Sequence, residues 1–171
     1  MSSKDKLTHQ INIPDGVDMS LFKIGIITSS WNDNITEMLH SGALNTLKSH
    51  GILAENVTEI WVPGSFELPV AAKMLLSQQN ADAIICLGCV IKGETKHDEY
   101  ISKSVAQGIM NLSIVSGKPI TFGVLTTDNL QQAKDRAGGK YGNKGEEAAV
   151  TALQMILINQ QLKTPAKKIG Y

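Results

Sequence analysis

Only two of the 171 residues are cysteine, and neither sign of charge is in excess, since sixteen lysines and arginines balance sixteen aspartates and glutamates. So few thiols exclude a disulfide framework and fit a reducing compartment. Balanced charge without a long block of one sign argues against a nucleic-acid or membrane-surface partner. No stretch reaches the roughly eighteen apolar residues that a membrane span needs. Met1 to Asp18 has no apolar run of signal-peptide length, and Asp5, Asp15 and Asp18 argue against a transit peptide. A soluble, cytoplasmic protein is expected. At this length one domain can bury about 70% of the surface its unfolded chain exposes, so folding requires no metal or disulfide.

Several chemical signatures are missing as well. No metal-ligand constellation is visible, no dinucleotide glycine fingerprint follows the first apolar run, and no serine sits in a nucleophile elbow. Gly88 and Gly93 have the spacing of phosphate-loop glycines, but Glu94 stands where a lysine should follow, which argues against a nucleoside-triphosphate site. Cys86 and Cys89 form a C-x-x-C. Residues three apart on a strand point to opposite faces, so neither a disulfide nor a shared metal follows, and both read as small buried fillers.

What the chain does have is alternation. Leu21–Thr28, Val57–Val62, Ala83–Gly88 and Ile120–Leu125 are runs rich in apolar and β-branched residues, as strands covered on both faces would be. Between them lie helical patterns. One is capped by Asn34 with Glu37 and runs to Gly51, with His40 and His50 on or near its solvated side. A second opens at Phe66–Pro69, where proline is tolerated in the first turn. A third carries Ile101, Val105, Gly108, Ile109, Leu112 and Val115 as its core stripe and stops at Gly117. A short helix over 129–137 and a glycine-rich loop precede a last helix that starts at Glu146 and is apolar on more than one face, which suggests a subunit contact. The expected fold is α/β: one domain over residues 21–163 with a four-stranded parallel sheet between helical layers, an N-terminal arm over 1–20 and a tail over 164–171.

In such sheets ligands bind where the carboxyl ends of the strands open. Those ends carry Ser29–Trp31, Pro63–Glu67, Gly88–His97 and Leu125–Asp128. Chemistry is expected above all in Gly88–Tyr100, where Thr95 and Asp98 have capping-box spacing and put His97 in a first helical turn. Unpaired N–H groups and the positive end of the helix dipole favour an anion such as phosphate there. They disfavour a positive charge, so an imidazole in that turn is placed to accept a proton. Taken alone, a histidine near a helix start is more often a solvated surface residue.

Seven ordered motifs carry a resemblance that covers about Phe22–Ile158: Trp31-Asn32; Pro63-Gly64-Ser65-Phe66-Glu67; Gly88–Thr95 with His97; Phe122–Thr127; Gln132-Ala133; Arg136-Ala137-Gly138; and Asn143-Lys144-Gly145 with Glu147-Ala148-Ala149. The chain resembles the lumazine synthase family. That resemblance implies a flavodoxin-like fold and a transferase that condenses 5-amino-6-(D-ribitylamino)uracil with 3,4-dihydroxy-2-butanone 4-phosphate in riboflavin biosynthesis. It implies no cofactor or metal. By motif, Trp31 stacks on the pyrimidine in a pocket with Cys89, Val90, Ile91 and the backbone of Ser65 and Phe66, while Glu67 accepts from ribityl hydroxyls. Gly93, Glu94 and Thr95 bind phosphate. Phe122 and Arg136 come from a neighbouring subunit, Arg136 completing the anion site. His97 moves protons, with Lys144 in a supporting loop and Glu147 near His97, orienting it. The implied partners are the two substrates, four further copies in a homopentamer within a 60-subunit icosahedral shell, and riboflavin synthase as a functional associate. Other readings of the same fold are an archaeal-type riboflavin synthase, a flavin-binding carrier, which would purify yellow, and a shell protein without activity.

Overall fold

The four apolar runs pair as one parallel sheet because each is followed by a helix long enough to carry the chain back to the starting edge. In the computed structural model, which describes residues 11–163, the strands are β1 (Ile24–Ser29), β2 (Val57–Val62), β3 (Ala83–Ile91) and β4 (Ile120–Thr127). Their order is β2-β1-β3-β4, and every neighbouring pair is parallel. The helices are α1 (Asp33–Ser49), α2 (Leu68–Gln79), α3 (His97–Ser116), α4 (Leu130–Arg136) and α5 (Lys144–Lys163). A small antiparallel pair, β5 (Ala137–Gly139) and β6 (Gly142–Asn143), joins α4 to α5.

Alternate strand residues divide between two cores. Ile24, Ile26, Ile85, Leu87 and Cys89 face α1, α4 and α5, and Ile27, Ile84 and Cys86 face α2 and α3. The two cysteines therefore lie on opposite faces, free and buried, and burial pushes their thiols up to about 12 for Cys86 and about 11 for Cys89. Helix α5 lies against α1 so closely that a Cβ on Gly145 would overlap the Leu39 carbonyl oxygen and stand 2.6 Å from its carbon.

Several boundaries differ from the sequence reading. Leu21 is not in β1 but exposed in a 3-10 turn over Met19–Leu21, because the Asp18 carboxylate accepts from Ser20 N at 3.0 Å and folds the chain there. Of the N-terminal arm expected over 1–20, residues 11–20 are described; Met19 is buried, and Ile11 and Val17 pack on the α1–α5 side. The rest of that arm and the tail at 164–171 lie outside the described residues. Strand β3 continues three residues beyond Gly88, and β4 continues to Thr127, because the two strands pair out to Ile91 and Thr127. Helix α5 starts at Lys144 rather than Glu146, since Asn143 Oδ1 accepts from Gly145 N at 2.8 Å while its Nδ2 donates to Met38 O at 2.8 Å.

One of the two histidines expected on the solvated side of α1 is not there. His40 is buried, with Nδ1 2.9 Å from Thr28 Oγ1, Nε2 2.6 Å from Glu59 Oε2 and its ring beside Trp61. A buried imidazole is tolerable when both ring nitrogens have partners, and these come from two different strands that helical periodicity cannot see. His50 is half-buried, its Nδ1 2.8 Å from Thr46 O. The stripe on α3 is also narrower than expected: Val105 and Ile109 are buried, whereas Val115 is 85% exposed. Helix α5 does carry apolar residues on two sides, with Leu153, Ile156 and Leu157 buried and Met155, Ile158 and Leu162 exposed. Among the described residues no helix is long and apolar enough to cross a membrane.

Candidate active site

The site is built where the strands stop unevenly. Strand β1 ends at Ser29, and its continuation leans on the end of β2: Ser30 N donates to Val62 O at 2.7 Å and Trp31 N to Pro63 O at 3.1 Å. This leaves Trp31 73% exposed. After β2, the chain makes a 3-10 turn over Ser65–Glu67, closed by the Glu67 carboxylate accepting from Gly64 N at 3.0 Å. The turn packs onto β3 over Gly88, where a Cβ would come 2.5 Å from Ser65 Oγ and force that side chain to move. Strand β3 then runs past β1 as Cys89, Val90 and Ile91, and Lys92 N donates to Thr127 O at 2.8 Å before the chain turns into α3.

The capping box expected at Thr95 and Asp98 does not form. Lys96 is the N-cap of α3, without a side-chain bond, and Thr95 Oγ1 accepts a long 3.4 Å bond from His97 N. His97 is accordingly the first helical residue, and it is exposed. Helix α1 is likewise capped elsewhere than expected: Asn32 rather than Asn34 precedes it, its carbonyl accepting from Ile35 N at 2.8 Å and Thr36 N at 3.0 Å.

A cavity of about 970 Å³ opens between these ends. Trp31, Ser65, Phe66, Glu67, Cys89, Val90, Ile91, Gly93, Thr95 and His97 line it, which brings together ten of the residues singled out from sequence. Glu94 is exposed beside it and is not part of the lining. Asn32, Gly64, Lys92, Asp98 and Ile101 also line it. Asn32 and Lys92 stand inside motifs already recognised, but nothing in their spacing assigns them a task.

Four of the expected site residues lie elsewhere. Phe122, Lys144 and Glu147 line a second cavity of about 570 Å³ with Met110, Ala148 and Met155. Glu147 is not beside His97 within the chain; it accepts from Arg136 and Lys144. Arg136 grips its carboxylate with both terminal nitrogens, at 3.0 and 3.1 Å, and Lys144 Nζ stands at 3.1 Å. Arg136 also donates to Tyr141 O at 2.8 Å. Burial pushes the Glu147 carboxyl up, but the hydrogen bonds and charges of Arg136 and Lys144 together outweigh that and hold it below its ordinary 4.5. A carboxylate lowered by folding stabilises the protein above its unfolded value, and that contribution disappears as pH falls through the lowered one. Melting temperatures between about pH 6 and about pH 3 should therefore fall less steeply for Glu147→Gln than for the parent. Parallel curves would show that the cluster does not govern acid stability.

Among the described residues no group of three or more His, Cys, Asp or Glu is arranged to hold a metal ion. A family model described as 6,7-dimethyl-8-ribityllumazine synthase matches residues 21–160, which spans the whole sheet and both cavities. The chain belongs to that family. Proteins named 6,7-dimethyl-8-ribityllumazine synthase are similar to it along most of its length. The one from Parabacteroides distasonis is 51% identical over 145 residues, 85% of this chain and 89% of the relative. The one from Cytophaga hutchinsonii is 49% identical over 158 residues, 91% and 98% of the two chains. Against this family, the larger cavity is the part of the lumazine synthase fold where the strand ends and the start of α3 meet, and the smaller one lies beyond β4, under α3 and α5.

Proposed function

We infer that the chain condenses 5-amino-6-(D-ribitylamino)uracil with 3,4-dihydroxy-2-butanone 4-phosphate to give 6,7-dimethyl-8-ribityllumazine, phosphate and water, the penultimate step of riboflavin biosynthesis. The observation that carries this reading is the larger cavity, in which a flat exposed indole, a carboxylate and an imidazole at a helix start face one space. The Trp31 ring stacks on the pyrimidine. Val90 and Ile91 form the wall with Cys89, backbone groups of Ser65 and Phe66 meet the ring's polar edge, and Glu67 accepts from ribityl hydroxyls. Backbone N–H groups of Gly93, Glu94 and Thr95 hold the phosphate at the start of α3. His97 moves protons as the imine forms, phosphate leaves and the ring closes. Mixing the purified protein with both substrates tests this directly. Lumazine absorbance and free phosphate should rise in equal amounts, and no product from an assembled particle would overturn the reading.

Phe122, Arg136, Lys144 and Glu147 lie outside the cavity of their own chain. In this reading they reach the cavity of a neighbouring subunit, in a ring of five, where Arg136 completes the phosphate site and Glu147 approaches His97. Only Ala137–Asn143 connects α4 to α5, which leaves no insertion to hinder ring-to-ring packing, so twelve rings close into a hollow shell. The compartment is the cytoplasm. Light scattering should give a particle far heavier than one ring, and an active monomer would end the shared site. Arg136→Ala should weaken the butanone phosphate about ten- to a hundredfold, the effect of a lost charged hydrogen-bond pair. Affinity for the uncharged ribityl pyrimidine should stay nearly the same. If calorimetry shows both ligands weakened alike, Arg136 acts through its grip on Glu147 instead.

A further inference from the structure

Asn32 adopts a backbone that other residues avoid. At φ 61°, ψ 47° it is left-handed, a conformation shared among non-glycine described residues only by Asn80. Asparagine tolerates this region better than most side chains. An asparagine that precedes a helix ordinarily turns its side chain onto the first helical N–H groups. Asn32 does not cap α1 in that way. Its Nδ2 instead donates at 2.9 Å to the carbonyl of Cys89, on another strand.

The reason lies in the uneven strand ends. In the ladder between β1 and β3 the last partners are Thr28 and Leu87, whereas β3 goes on to Ile91 with only β4 beside it. A strand that outruns its neighbour leaves carbonyls without ladder donors on that side, and leaving such a group unpaired away from water is costly. The Asn32 amide supplies the donor that β1, already ended, cannot. Asn32 and Cys89 both line the cavity, and between them and the turn after β2 stands Trp31, whose own N–H is held by Pro63 O at 3.1 Å. Trp31 is thus fixed through its own backbone to the end of β2 and through its neighbour's side chain to β3.

We propose that Asn32 is a positioning residue for the reaction: its amide, held by Cys89 O, sets the gap between the Trp31 ring and the Val90–Ile91 wall, and so the affinity for the flat pyrimidine. This rests on the site assignment under Proposed function. It predicts that the defect follows the lost donor and not the backbone. Asn32→Gly keeps the left-handed conformation without a Cβ and removes the amide. Asn32→Asp keeps the shape and replaces the donor with an oxygen that faces the Cys89 carbonyl.

Calorimetry with the ribityl pyrimidine and steady-state kinetics with both substrates test this on the assembled protein. Both variants should bind the pyrimidine about three- to tenfold more weakly than the parent, the usual effect of one lost hydrogen bond. Their KM for the butanone phosphate should stay near the parent's, and their melting temperatures should fall by no more than a few degrees, the cost of leaving the Cys89 carbonyl without its donor. In a Trp61→Phe background, which leaves Trp31 as the remaining tryptophan, quenching of its fluorescence by the pyrimidine should shift by the same factor. Parent-like pyrimidine affinity in Asn32→Asp would overturn the proposal, because the donor would then be dispensable. So would an equal rise in KM for both substrates, which marks a general loosening of the site. Failure of the parent itself to bind the pyrimidine would reject the site assignment, and with it this proposal, whereas a parent that binds and two variants that bind equally well reject the proposal alone.

Discussion

Gly145→Ala is expected to destabilise the subunit by about 3 kcal/mol or more, at the upper end of what overpacking a core does. The added methyl would overlap the Leu39 carbonyl oxygen and stand 2.6 and 2.9 Å from the carbonyl carbon and Cα of the same residue. These are backbone atoms inside α1, so no side-chain rotation relieves the contact and the two helices must separate. Separation also strains Asn143, whose side chain bonds Met38 O on α1 and Gly145 N on α5. A denaturant melt measures the effect. A midpoint within experimental error of the parent's would mean that α5 shifts freely along α1.

The second large effect is on rate. His97→Ala is expected to lower kcat about a hundredfold to ten-thousandfold while leaving measurable turnover, because proton transfer is lost but the two substrates stay positioned. Holding two reactants together can by itself be worth about 7–11 kcal/mol of barrier, more than the base supplies. The ring projects from the exposed first residue of α3, so its removal should leave the melting temperature unchanged. Equal rates in variant and parent would remove His97 from the mechanism. Complete loss of activity in a folded variant that still binds both substrates would mean that positioning contributes far less than supposed.

The layers and the parallel sheet were legible because strands covered on both faces must be apolar along their whole length, and nothing else in the chain has that pattern. Strand ends were less legible. Gly88 reads as the end of a strand, yet in the sheet it is an interior residue whose missing side chain admits Ser65, so β3 and the pocket wall extend beyond it. His40 read as solvated because its partners, Thr28 and Glu59, belong to separate strands. Of the expected site residues, those in the motifs that follow β1, β2 and β3 converge on one cavity, Glu94 excepted. For Phe122, Arg136, Lys144 and Glu147 a motif gives identity but not location, and their place away from the larger cavity, on β4 and around the start of α5, could be known only from the packed chain. Asn32 was hidden for a similar reason: its task depends on how far β3 outruns β1, which is a difference between two strands and not a property of either.

The strand order β2-β1-β3-β4 has a consequence for how the chain comes together. Every ladder in the main sheet is parallel and spans at least one whole helix, so no hairpin offers a cheap first step. Its central ladder joins Ile24 to Ala83 and cannot close until α1, β2 and α2 have all been made. A chain emerging from the ribosome therefore holds β1 with one edge unpaired for as long as those elements take to appear. Loop closure must precede the contacts that reward it, which makes this sheet slow to form and leaves that edge open to a second nascent copy meanwhile.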